Sequence, residues 1–245
     1  MKGITIMNRK TFILIFLSIL CFLCVSAGYG EARYEFELAT AMTYAEKTDH
    51  WSIDISVPEV RGMPDKAAQQ ELNAYFRAKG AEMIAEYRQS AAHAAESLAA
   101  GNSPGFTYQY CYDVVTDSDD FFVLRTTAYY ISSSVTESSE YRTLDKVTGK
   151  LLGFSDVVKT SGEMADIRDQ IFRDMLKFNR DAGAPVFRTD DSSLIDALAK
   201  AGEKHHWYFD ENRRLIITFD KYEVGPAIVG SPEFAINHST FFYMH

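Results

Sequence analysis

Apolar and polar positions alternate along residues 35–46, where Phe36, Leu38, Met42 and Tyr44 fall on one side. A period of two predicts a half-buried strand. Trp51, Ile53, Ile55 and Val57 repeat that pattern more strictly, and Pro58 is expected to close this second strand. Asp49 and His50 suit the turn between them, so a hairpin is predicted. The period then changes. Leu72, Tyr75, Phe76, Met83, Tyr87, Ala91, Ala94 and Leu98 recur at steps of three and four, predicting a long helix over 65–99. Asp65 is the expected N-cap and Gly101-Asn102 the stop, with Gly80 read as a bend.

Alternation returns with Phe106, Tyr108, Tyr110, Tyr112 and Val114 on one face, then residues 121–131, then 141–147 ending in the turn Thr148-Gly149-Lys150. Two polar intervals separate these strands. Asp117, Asp119 and Asp120 read as a solvated turn, and 132–139 as a loop or strand edge. A second amphipathic helix is expected over 163–180, with Met164, Ile167, Ile171, Met175 and Phe178 inward, and a shorter helix over 193–201. Trp207-Tyr208-Phe209 and 215–219 form two strands about the turn at 210–213, and Gly225-Pro226, Gly230 and Pro232 mark a kinked loop. Sequential strand pairs with helices set apart indicate α+β: antiparallel sheets packed with one long and one medium helix, in two subdomains.

The start of the chain differs in kind. Residues 12–25 are an apolar run behind Lys2, Arg9 and Lys10, followed by Ser26, Ala27, Gly28 and Gly30. That is the plan of a signal peptide, with Val25-Ser26-Ala27 or the Gly30–Glu31 bond as the cleavage position. An uncleaved anchor is the alternative, although a span needs about 20 residues. Neither Cys21 nor Cys24 has a small residue before it, so lipidation is not expected. The expected location is therefore periplasmic or extracellular.

The whole chain carries 25 basic and 34 acidic residues, net −9. Setting aside the three basic residues of the leader leaves 22 against 34, net −12. Such a body repels phosphate, which excludes nucleic acid as a partner and favours basic ones. The sole cysteine beyond the leader, Cys111, cannot form an internal disulfide and reads as a small buried apolar residue.

Reactive motifs are missing. There is no Gly-rich phosphate loop, no nucleophile elbow around Ser155 and no His-Glu-x-x-His. His205 and His206 are adjacent and would point to opposite faces of a strand. Thr218-Phe219-Asp220 resembles the first metal motif of polysaccharide deacetylases, but Lys221 follows where a second Asp is needed. No catalytic residue, metal ligand or cofactor is expected.

Two stretches together carry a family resemblance. One runs Leu144-Asp145-Lys146-Val147-Thr148-Gly149-Lys150-Leu151-Leu152 and on to Phe154, Asp156 and Val157. The other runs Trp207-Tyr208-Phe209, then from Leu215 through Asp220-Lys221-Tyr222-Glu223-Val224-Gly225-Pro226 to Gly230 and Glu233-Phe234. These resemble the extracytoplasmic domain of the RsiV-like family, DUF3298, which usually follows a DUF4163 segment. The resemblance implies residues 1–30 as leader, 31–105 as the DUF4163-like part and 106–245 as the DUF3298 domain. It also implies an α+β binding module outside the cytoplasm, in one branch the lysozyme-binding sensor half of an anti-sigma factor. Another branch precedes a peptidoglycan deacetylase domain. This sequence, with a short stretch before the apolar run and no deacetylase motif after the domain, is expected to depart from both branches. Where the family often has Gly-Gly-Ala-His, residues 132–137 read Ser-Ser-Ser-Val-Thr-Glu.

The reading that results is an exported acidic binding module for an envelope or extracellular partner, a basic protein such as lysozyme. Tyr222, Glu223 and Pro226 are the candidate contact residues, and a membrane is met only through an uncleaved leader. The alternatives are a hydrolase acting on envelope glycan or peptide, and a structural envelope protein without a ligand.

Overall fold

The computed structural model describes residues 33–101, 105–189 and 191–237, and the expected leader at 1–30 lies outside them. Five strands form one sheet in the order β1-β2-β3-β4-β5: Glu37–Lys47, Trp51–Arg61, Phe106–Asp117, Phe121–Ile131 and Val135–Asp145. A second sheet holds β6 (Trp207–Phe209), β7 (Leu215–Thr218) and β8 (Glu233–Ala235). Between β2 and β3 runs α1 (Lys66–Ala99). After β5 come the single turn α2 (Phe154–Val157), α3 (Ser161–Ala182) and α4 (Asp191–Ala201). The α+β class holds. Every pairing is antiparallel except β2 with β3, which is parallel because α1 carries the chain back to the start of β2.

β4 shows why two layers form. Phe122 and Leu124 join the core under α1, with Phe76, Tyr87, Ile55 and Val57. Phe121 and Val123 point the other way, into a core with Ile167, Ile171 and Met175 of α3 and Trp207, Phe209 and Ile217 of the second sheet. Alternate residues thus bury on both faces of the sheet at this end, which is why Phe121 to Leu124 is an unbroken apolar run.

α1 begins where its cap predicts: Asp65 Oδ1 accepts from the amides of Ala67 and Ala68 at 2.9 and 3.1 Å. Asn73, buried in the helix, ties it to β2 by donating to Val60 O at 2.9 Å and accepting from Val60 N at 2.8 Å. Gly80 does not end or divide the helix. A Cβ there would lie 2.5 Å from Val57 Cγ2, so the glycine permits close approach to β2. Thr160 and Glu163 start α3 with reciprocal bonds of 3.1 and 2.9 Å, and Gly183 ends it at φ 65°.

Several expectations need correction. Pro58 does not close β2; it pairs with Thr40 beside a bulge in β1, and the strand continues to Arg61. Bulges and edge-side positions are where a strand tolerates the missing amide. Of the two readings of residues 132–139, the strand edge holds from Val135 onward: residues 135–140 are the first half of β5, the edge strand, bonded to β4 on one side. The acidic turn is only partly solvated. Asp120 is 3% exposed and pairs with Arg33 and Arg213, while Asp117 accepts from Lys146 at 2.6 Å. Phe178 is 51% exposed rather than inward. Cys111 is half-buried; its Sγ lies 3.9 Å from Thr127 O, and burial followed by the Asp113 charge raises its pKa.

Candidate functional site

The hairpin β6–β7 builds the site. Its register pairs Trp207 with Ile217, and the bond from Thr218 N to His206 O at 2.9 Å extends the pairing by one residue. His206 is thereby fixed beside the end of β7, and Asp220 follows two residues beyond Thr218. The next turn brings Glu223 back. Its Oε2 accepts from Asp220 N at 2.9 Å, and Glu223 N donates to Asp220 O at 3.0 Å.

Lys204 completes the cluster from the other strand's approach. Its Nζ lies 2.9 Å from Glu223 Oε1 and 3.8 Å from Asp220 Oδ2. His206 sits between the carboxylates, with Nε2 3.7 Å from Asp220 Oδ2 and Nδ1 3.9 Å from Glu223 Oε2. The His206 side chain is 3% exposed, and Nδ1 has no hydrogen-bond partner. Burial lowers the His206 pKa despite both neighbouring carboxylates, and burial raises that of Asp220 against the pull of His206 and Lys204. His205, in the left-handed region at φ 54°, is pushed down to about 4 by burial and then by the Arg142 charge.

The loop rises from this cluster. Val224 is buried and its carbonyl accepts from Arg188 N at 2.9 Å. Pro226 then opens a 3₁₀ turn, Ala227–Val229, closed by bonds of 3.0 and 3.1 Å to Pro226 O and Ala227 O. Tyr222 takes φ 74° and stands 57% exposed, its ring 5.4 Å from Lys221 Nζ. Ile228, at the tip, is 90% exposed. Pro226 is exposed too, whereas Glu223 turns inward to Lys204 and Asp220 N. The structure thus places Tyr222 and Pro226 on the outer side of one loop and Glu223 at its base. Beyond Ile228 lies an apolar groove of about 790 Å³, lined in part by Phe178, Val186, Phe187 and Phe234.

A smaller pocket of about 110 Å³ opens at Asp220, beside Glu137, Tyr141 and Glu233. Glu233 accepts from the hydroxyls of Tyr141 and Tyr208 at 3.2 and 3.1 Å, and the two rings stack at 4.7 Å. Burial, then the Glu233 charge, raises both phenol pKa values. These tyrosines act as fixed donors, not as acids near neutrality.

No protein-family model matches the chain. Anti-sigma-V factor RsiV of Bacillus subtilis (strain 168) is 26% identical over 199 residues, which are 80% of this chain and 66% of RsiV. A crystal structure of a DUF3298 family member from Bacteroides fragilis NCTC 9343 superposes with a TM-score of 0.56, covering 85% of this chain and 92% of that one at 14% identity. The chain is RsiV-like in sequence, and its fold is that of DUF3298. A second DUF3298 protein, from Pseudomonas aeruginosa PAO1, gives 0.47 over 86% of this chain and 93% of its own at 11% identity. No helix among the described residues is long and apolar enough to cross a membrane.

His206, Ile228 and Lys204 are absent from the sequence-based set of site residues. The hairpin register was the available signal for His206: the turn at 210–213 sets His206 opposite Thr218, on the side where Asp220 emerges. Ile228 gives no sequence signal, because it lies in the apolar triplet Ala227-Ile228-Val229, which reads as core.

Proposed function

We propose that this RsiV-like chain is an exported acidic binding module that recognises a basic envelope or extracellular protein, lysozyme being the partner that the family resemblance implies. The observation that carries this reading is the loop at 222–230, which exposes Tyr222, Pro226 and Ile228 on a backbone already closed by its own hydrogen bonds. A pre-ordered loop loses little conformational freedom on binding, so more of its contact energy appears as affinity. Tyrosine and isoleucine at the tip supply apolar area for a cleft, and the adjoining groove extends it. The net charge of −12 outside the leader draws a basic partner in at long range, and salt weakens that attraction.

The leader at 1–30 supports delivery across the inner membrane. The test is retention of the chain on immobilised hen lysozyme at low and at moderate salt. Retention that weakens as salt rises supports the reading, and no retention at either salt removes the lysozyme version.

A further inference from the structure

We propose that His206, Asp220 and Glu223 form a binding site for a divalent transition-metal ion of the Zn²⁺ kind, and that Lys204 occupies the cation's place until the metal enters. This does not depend on the identity of the protein partner.

The three residues each offer one ligand atom, and these atoms lie within 4.8 Å of one another. Zn²⁺ takes imidazole nitrogen and carboxylate oxygen at about 2.0–2.2 Å, which sets tetrahedral ligand atoms roughly 3.3–3.6 Å apart. Closing to that spacing needs an inward movement of about 1 Å, within reach of two carboxylates on a surface turn. A set of one imidazole and two carboxylates suits a transition ion better than Ca²⁺ or Mg²⁺, which prefer oxygen alone.

Acidic neighbours alone would not make a site. The independent observation is His206. Its side chain is 3% exposed, it faces both carboxylates, and Nδ1 lacks a hydrogen-bond partner. Buried polar atoms nearly always find partners, so this orphan nitrogen calls for one. The lysine explains how the cluster stands without metal. Lys204 Nζ contacts both carboxylates, yet its side chain is 39% exposed and has room to swing into solvent. Two carboxylates and a neutral imidazole with Lys204 carry net −1; with a dication in its place they carry zero.

Lys221, next to Asp220, does not compete. Its Nζ turns away to Val135 O at 3.3 Å and lies over the Tyr222 ring. The bond from Asp220 N to Glu223 Oε2 steadies one ligand from behind, as outer-shell contacts do in metal sites. With three protein ligands the fourth position is left to water.

The test is titration of the untagged, chelator-treated full chain with Zn²⁺ by calorimetry, with Co²⁺ absorption as a second probe of tetrahedral geometry. The expected result is one ion per chain, bound about tenfold or more weakly by Glu223→Gln and by Asp220→Asn. Lys204→Met should bind more tightly than the unaltered chain, because the competing ammonium is gone. Uptake that is the same in Glu223→Gln would place the ion elsewhere and overturn the proposal. So would no stoichiometric uptake by either the unaltered chain or Lys204→Met.

Discussion

Two carboxylate sites, the buried Asp120 and the half-buried Asp220–Glu223 pair, have opposite balances of charge. Asp120, in the turn between β3 and β4, is 3% exposed and meets two guanidiniums, Arg33 and Arg213. One negative charge faces two positive ones, and its own carbonyl accepts from Lys146 N at 2.7 Å. At the other site two carboxylates share one ammonium, Lys204, with a histidine kept neutral between them. The first arrangement is closed: chain segments far apart in sequence are pinned by groups that have what they need. The second is short of positive charge and holds an orphan nitrogen at the base of an exposed loop. A fold gains stability from the first kind of site. The second kind keeps capacity for another cation or partner.

This contrast predicts a graded set of responses. Asp120→Ala strips both arginines of their shared partner; since Arg33 and Arg213 are partly exposed and can rehydrate, a loss of about 2–3 kcal/mol in urea unfolding is expected. Gly80→Ala is an apolar control in which the added methyl meets Val57, and overpacking is expected to cost about 1–2 kcal/mol after the helix-propensity gain. Glu223→Gln keeps the shape and relieves repulsion with Asp220 while losing Lys204, so it should change stability by no more than about 1 kcal/mol. Equal losses for Asp120→Ala and Glu223→Gln would erase the distinction between the two sites.

A further response concerns pH. The folded pKa of His205, about 4, lies below its ordinary 6.5. The unfolded chain therefore binds more protons between those values, and this contribution to stability is lost as pH falls from 6.5 toward 4. His206 is shifted the same way; the raised Asp220 acts oppositely, its contribution declining as pH rises through its folded pKa. His205→Asn keeps a residue that tolerates the left-handed backbone, so it should reduce the difference between unfolding midpoints near pH 7 and near pH 4.5. An unchanged difference would assign the acid response to other groups.

Periodicity made the apolar frame legible. Asp65 opens α1, Glu163 marks the first turn of α3, and the alternation in Phe121–Ile131 gives β4 at its observed bounds. The misses have physical causes. The outer half of β5 buries no residue fully on either face, so Val135 to Glu140 shows no apolar rhythm to choose a strand edge over a loop. Asp120 is charged and lies in a turn, which reads as solvated until Arg33 and Arg213 are brought to it from 87 and 93 positions away in sequence. The parallel pairing of β2 with β3 depends on where α1 returns the chain, which no local window contains. The Lys204–His206–Asp220–Glu223 cluster forms only when a hairpin register and a turn act together. Of the contact residues named from sequence, Tyr222 and Pro226 stand outward and Glu223 braces the loop from below.

The most direct measurement of the central claim is the affinity of the full chain for lysozyme in low salt, beside that of Tyr222→Ala and Ile228→Ala. Both side chains are exposed, so neither change should disturb the fold, which circular dichroism verifies. Binding by the unaltered chain and a loss of about tenfold or more in each variant are expected, as for an anchor residue at an interface centre. Binding that is equally tight in both variants would contradict the claim.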